Sequence, residues 1–209
     1  MLRHTLIIIA FLSVLIGLSA QPSGQRLRTP RIQPLEPSEW NDEIREILGP
    51  RAQGDRTRNT FKICVRHPAL CRSWMPLTTY VESSASTLPP RDRELLILRT
   101  AWLCGNDPTW GPHEANARRL GLTGDDITRI AKGPKAAGWT AFDAALLQAA
   151  DDLHADQFIQ DATWTTLTGR YNDRQMLDTI FAVGQYTLIS MYLNSVGAQL
   201  GPGDKPLPK

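Results

Sequence analysis

Helix punctuation constrains this chain more than its composition does. Between Pro37 and Leu200 apolar residues recur at steps of three and four, and each run is bracketed by residues that start or stop helices. Ser38 is placed to cap a short helix with Trp40, Ile44, Ile47 and Leu48 on one face, closed by Gly49-Pro50. Asn59 opens the next, which stops at His67 because Pro68 disfavours helical geometry in the residue before it. A longer helix follows from Pro68 to about Ser83. Pro89-Pro90 starts RDRELLILRTAWLC, which runs to Cys104; proline fits a first turn, where its missing donor costs nothing. After the turn Gly105-Asn106-Asp107-Pro108, Asp107 is the expected cap of a helix from Pro108 to Leu120, closed by Gly121. Thr123 with Asp126, then Thr140, Asp161 and Asn172, mark further starts, and Gly197 ends the last helix after Val196. No run of alternating β-branched residues competes. The expectation is an all-α chain with a single helical domain over residues 37–200, in which two proline-started helices form an antiparallel hairpin.

The ends differ from the middle. Arg3 and His4 precede the apolar run LIIIAFLSVLIGLSA, which gives way to Gln21 and Pro22 after a small-residue exit. A basic start, a short apolar stretch and a small-residue exit read as a secretory signal peptide over residues 1–20. The run is roughly 15 residues, short of the ~20 that cross a bilayer comfortably. A secreted or periplasmic protein is therefore expected; an uncleaved membrane anchor is the alternative. Residues 21–36 and 201–209 are rich in Pro and Gly and read as a flexible lead-in and a flexible tail.

Net charge is +2 and no dense Lys/Arg patch occurs, so a nucleic-acid partner has no electrostatic support. Three cysteines are present, Cys64, Cys71 and Cys104, an odd number for an exported protein. On one straight helix Cys64 and Cys71 stand about 10 Å apart, beyond disulfide reach. A break at Pro68 would bring them closer, but small buried hydrophobes is the favoured reading.

His113 poses the functional question. It lies about five residues below the hairpin turn, and Glu94 about ten residues below it on the other arm. The two are roughly 7 Å apart along the axis, a gap that a glutamate side chain or one water closes. Glu94 shares a face with Leu98 and Ala101, where a carboxylate needs a partner because an unpaired buried charge is expensive. The pair reads as an imidazole oriented by a carboxylate, with its other nitrogen left to move a proton. A structural hydrogen bond is the alternative. Cys104, nine residues before His113 across the turn, is a second candidate for the pocket, though core packing is favoured because a helix C-terminus does not lower a thiol pKa. Trp110 suits either a pocket wall or a subunit contact. His67 and His154 are read as helix-end residues, the latter with Asp151, Asp152 and Asp156 nearby but no second histidine to support a metal.

From Arg31 to about Pro202 the chain resembles the carboxymuconolactone decarboxylase family, whose superfamily includes alkylhydroperoxidase D. The resemblance rests on RIQPLEPSEW, RHPAL, TLPPRDRELLILRTAWLCG, WGPHEANARRLGL, DDLHAD and GQYTLISMYLNSVGAQL in that order. It implies an all-α fold, homo-oligomers (trimers or hexamers) with sites near subunit contacts, and no metal, flavin or nucleotide. In the alkylhydroperoxidase D branch a glutamate precedes the site histidine by nineteen residues, the spacing from Glu94 to His113 here. That branch also carries a CxxC ending four residues before the histidine; those positions hold Asn106 and Thr109. The lactone decarboxylase branch has a glutamate where Thr109 stands, and a hydroxyl cannot do a carboxylate's proton work. The expected function is an exported enzyme using His113 and Glu94 for acid–base chemistry on a small organic acid, lactone or related carbonyl compound. Thr109, Trp110 and Cys104 are the expected substrate-binding residues. A thiol-dependent peroxidase and a non-catalytic oligomeric binding protein are the alternatives.

Overall fold

In the computed structural model, which describes residues 25–208, the chain runs through α1 (Asp42–Leu48), α2 (Asn59–Cys64), α3 (Pro68–Glu82), α4 (Pro90–Leu103), α5 (Asp107–Arg119), α6 (Gly124–Lys132), α7 (Ala141–Asp156), α8 (Asp161–Thr168) and α9 (Asp173–Val196). No strand occurs among the described residues, so the fold is all-α as expected. The expected leader over residues 1–20 lies outside them. No described helix is long and apolar enough to cross a membrane.

Helix α4 is the centre of the bundle. Every residue from Asp92 to Ala101 is buried, and α5, α7 and α9 pack around it. Leu95, Leu96, Ile97 and Leu98 are wholly inaccessible, which accounts for an apolar middle without a polar stripe. The polar residues on α4 are consequently paired. Arg99 forms a two-pronged bridge to Asp151 at 2.6 and 3.0 Å, and Asp92 accepts from the Tyr171 hydroxyl at 2.7 Å.

Thr123, Thr140 and Asn172 cap α6, α7 and α9 through their side chains, and Gly197 takes the left-handed conformation that ends α9. Elsewhere the caps move. Helix α1 starts at Asp42 with Asn41 as its cap, because Pro37–Glu39 forms a separate single turn that takes up Ser38. Asn106, not Asp107, caps α5; the Asp107 carboxylate instead accepts the Leu207 backbone N–H at 2.8 Å. The helix from Asn59 ends at Cys64, and His67 begins the following helix, its Nδ1 accepting the Leu70 N–H.

That turn between α2 and α3 corrects the cysteine reading. With Val65 to His67 out of helix, the Cα atoms of Cys64 and Cys71 come within 5.4 Å and the pair forms a disulfide. The straight-helix separation does not apply across a broken helix, and Cys104 alone among the three is a free thiol.

Both terminal segments lie along the bundle where they are described. The Arg31 N–H donates to the Val196 carbonyl at 2.8 Å, and the Gln25 amide to Ala198 at 2.9 Å. The tail crosses α5 at Gly111, where a Cβ would meet the Lys205 backbone at 2.9 Å. Only glycine permits that approach.

The loop from α3 to α4 is tied to α9 by one carboxylate. Asp178 accepts from the Thr87 N–H at 2.6 Å, the Thr87 hydroxyl at 2.7 Å and the Tyr80 hydroxyl at 2.7 Å. Burial opposes its charge, but the hydrogen bonds from Thr87 and Tyr80 prevail and hold its carboxyl below the usual carboxylate range. A lowered folded-state pKa gives stability that is present above the unfolded value, about 4, and is lost as pH falls through the folded one. Asp178→Asn is expected to cost about 2 kcal/mol at pH 7 in urea denaturation. The difference should shrink on acidification below pH 4, and an equal gap at pH 7 and pH 3 would refute the account.

Candidate functional site

The hairpin of α4 and α5 brings Glu94 and His113 into direct contact. Asn106 and Pro108 set the start of α5, and from there the imidazole turns inward against α4. His113 Nδ1 lies 2.8 Å from Glu94 Oε2, closer than the axial spacing required, and no water is needed between them. The Asn116 amide donates to the other Glu94 oxygen at 2.5 Å, and Arg119 holds Asn116 by its carbonyl oxygen at 2.9 Å. Glu94 is 2% exposed and His113 8%, so the pair is desolvated and its geometry is fixed from both sides.

The second ring nitrogen is also engaged. Tyr186, on α9, places its hydroxyl 3.0 Å from His113 Nε2, with the two rings edge to face at 5.0 Å. The same hydroxyl reaches Glu82 Oε1 at 3.1 Å, and Arg51 stands 3.7 Å from the other Glu82 oxygen. Burial first, then the charges of Glu82 and Glu94, drive the Tyr186 hydroxyl well above its ordinary pKa, against a smaller pull from Arg58. Tyr186 therefore keeps its proton throughout the physiological range.

Two hollows flank this chain of contacts. The larger, about 190 Å³, is lined by Arg58, Glu82, Arg93, Glu94, His113 and Asn116, with Pro112 and Arg119 at its edge. The other, of about 20 Å³, holds no more than a water and lies between Thr109, Trp74, Phe61 and Tyr186. His113, Arg58 and Glu82 border both. In the larger cavity three guanidinium groups face two carboxylates, and both carboxylates are already engaged. Arg93 is buried, donates to the Ser83 carbonyl at 3.0 Å and has its Nε unpartnered. The electrostatics of the cavity favour an anion, and its size favours a small one.

The remaining expected site residues separate. Thr109 faces the water-sized hollow, its hydroxyl receiving the Asn106 amide at 2.8 Å. Trp110 is fully buried and donates to Glu114 Oε2 at 3.0 Å, so it lines neither hollow. Cys104 also lies outside both; its sulfur sits 3.7 Å from His154 Nδ1 on α7. Burial raises its thiol pKa, so it offers no thiolate near His113. Asp151 is taken by Arg99, and Asp152 accepts from Gln148 and the Gln160 N–H. Tyr186, Glu82, Arg58 and Arg93 were not picked out by the sequence reading. The available signal was a tyrosine on the buried face of an otherwise apolar helix, whose hydroxyl requires a partner.

Residues 68–152 match the model of the carboxymuconolactone decarboxylase family. Among curated proteins no sequence matches the chain. Solved structures share its fold. One, from Agrobacterium tumefaciens, is a protein of unknown function described as a candidate antioxidant defence protein AhpD; it is 22% identical with a TM-score of 0.59, over 65% of this chain and 92% of that one. A peroxidase-related protein from Silicibacter is 17% identical with a TM-score of 0.63, over 88% and 95% of the two chains. The debrominase Bmp8, a cysteine-to-alanine variant holding 2,3,4-tribromopyrrole, is 11% identical with a TM-score of 0.66, over 83% and 92%. At these identities the likeness is one of fold.

If Glu94 and His113 are coupled as the distances indicate, removing one strands the other. Glu94→Ala is expected to cost about 3 kcal/mol, and the Glu94→Ala/His113→Ala double variant less than the sum of the singles by at least ~1 kcal/mol. Additive losses in denaturant titrations would show the pair to be uncoupled.

Proposed function

We propose that this chain, whose residues 68–152 match the carboxymuconolactone decarboxylase family model, is an enzyme moving protons on a small organic anion. The observation that carries this reading is the Glu94-held imidazole bordering a cavity whose other cations are Arg58, Arg93 and Arg119. Glu94 fixes the ring's orientation and stabilises the imidazolium, and the guanidinium groups offer paired donors to a carboxylate. Carboxylic acids, lactones carrying a carboxylate and related carbonyl compounds fit this chemistry.

A dithiol peroxidase reading has less support. The positions that would carry relay thiols hold Asn106 and Thr109, both committed to the start of α5. Cys64 and Cys71 are joined to each other, away from the imidazole. The disulfide instead supports a place outside the cytoplasm, in keeping with the basic and apolar start of the sequence.

A screen of small carboxylic acids and carboxylated lactones tests the proposal. His113→Ala is expected to lower kcat by about 100-fold or more for any compound turned over, with helix content retained. Arg58→Ala, at an exposed residue, should mainly raise KM. Full turnover by His113→Ala would reject the acid–base reading.

The solvent face of α9 supports self-assembly. Leu177, Phe181, Leu188 and Met191 are each at least half exposed, and Gly184 and Ser195 complete a face without a charge. Such a strip, about 27 Å long, suits a second copy of the chain, with the open Gly184 position allowing close approach. Light scattering is expected to give a homo-oligomer that Leu188→Glu dissociates. A monomeric parent at micromolar concentration would contradict this.

A further inference from the structure

The hydrogen-bond chain through His113 contains one more contact than a neutral imidazole and a tyrosine can fill between two carboxylates. Three contacts run in series: Glu94 to Nδ1, Nε2 to the Tyr186 hydroxyl, and that hydroxyl to Glu82. Each needs a proton between its heavy atoms, making three. Neutral imidazole supplies one and the tyrosine one. The third is a second ring proton on His113, or a carboxylic proton on Glu82 or on Glu94.

From this count, and resting on the acid–base reading above, we infer that Tyr186 relays a proton between His113 and Glu82, and that Glu82 exchanges it with the substrate. Both imidazole nitrogens are occupied, so His113 has no free nitrogen with which to meet a ligand. Glu82 does have access: its side chain is 35% exposed and borders both hollows. In the proposed relay the extra proton starts on His113, and Glu82, with Arg51 3.7 Å from its second oxygen, is the accepting end. The buried Glu94 carboxylate, braced by Asn116, balances that imidazolium.

The transfer balances as two coupled steps. The Nε2–H proton passes to the Tyr186 oxygen while the Tyr186 hydroxyl proton passes to Glu82 Oε1. The imidazolium becomes neutral, Glu82 becomes a carboxylic acid, and Tyr186 ends with one proton as it began. Glu82 then gives its proton to a basic atom of the substrate, and a proton taken later from product or solvent returns by the reverse path. Tyr186 never becomes a free phenolate, in keeping with its burial.

The resting arrangement is testable without a substrate, by nitrogen-15 NMR of the histidine rings at pH 7. The chain has four histidines, and His113→Ala assigns the signals of interest. The unaltered protein is expected to show protons on both nitrogens of His113. Glu82→Gln should remove the Nε2 proton, since the glutamine amide donates to the Tyr186 oxygen and turns the hydroxyl toward the ring. Tyr186→Phe should abolish the slow exchange of that proton. A neutral ring in the unaltered protein, or a His113 spectrum unchanged by both substitutions, overturns the relay. Should Tyr186→Phe fail to fold, Glu82→Gln, at a partly exposed side chain, decides alone. With a substrate in hand, the relay expects Glu82→Gln to lower kcat about as far as His113→Ala does, with KM little changed. An inactive His113→Ala beside a fully active Glu82→Gln would sink the relay and leave the acid–base reading standing; activity in both would sink the two together.

Discussion

A carboxylate in the middle of a bundle's central helix cannot be left unpaired. Glu94 sits on α4 among residues that are almost wholly inaccessible, and an isolated charge there would cost several kcal/mol. Its partners come from α5, one turn of helix apart, His113 and Asn116. That requirement fixes the rotation of α5 against α4 and the face of α5 that turns inward. The hairpin and the site are thus one construction, in which the group that orients the imidazole also sets how the two helices meet.

The same economy extends outward. Asn116 is held by Arg119 on the same helix, Tyr186 by Glu82 from α3, and Glu82 by Arg51 from the loop before α2, so the polar groups near the imidazole position one another. Networks of this kind are rigid when fully satisfied. The exception in the cavity is Arg93, buried with an unpartnered Nε. An unfilled donor beside a small cationic cavity is where an anionic ligand would complete the set.

Much of the fold was legible because helix starts and stops are local. Thr123, Thr140, Asn172 and Gly197 act at the positions their residue types indicate. Asn106 and Asp107 were harder: either can cap α5, and the choice was made by Leu207, a hundred residues away, which claims the Asp107 carboxylate. The Cys64–Cys71 disulfide is not legible because Pro68 marks the break between two helices but not how close their ends come, so buried thiols remained the favoured reading. Within the site, Glu94 and His113 could be paired from the hairpin alone. Tyr186 could not, since it comes from α9, 73 residues along the chain, and nothing in an apolar helical pattern says which tyrosine meets which ring. Trp110, whose indole N–H donates to Glu114 one turn on, shows that a polar handle near a site can still belong to the core.

Neutron diffraction from crystals of the deuterated protein tests the central claim most directly, because it places hydrogen atoms on the groups that carry the account. The prediction is a deuteron on Nδ1 directed at Glu94, one on Nε2 directed at Tyr186, and the Tyr186 deuteron directed at Glu82. A bare Nδ1, or a Tyr186 hydroxyl directed away from both the ring and Glu82, would contradict it.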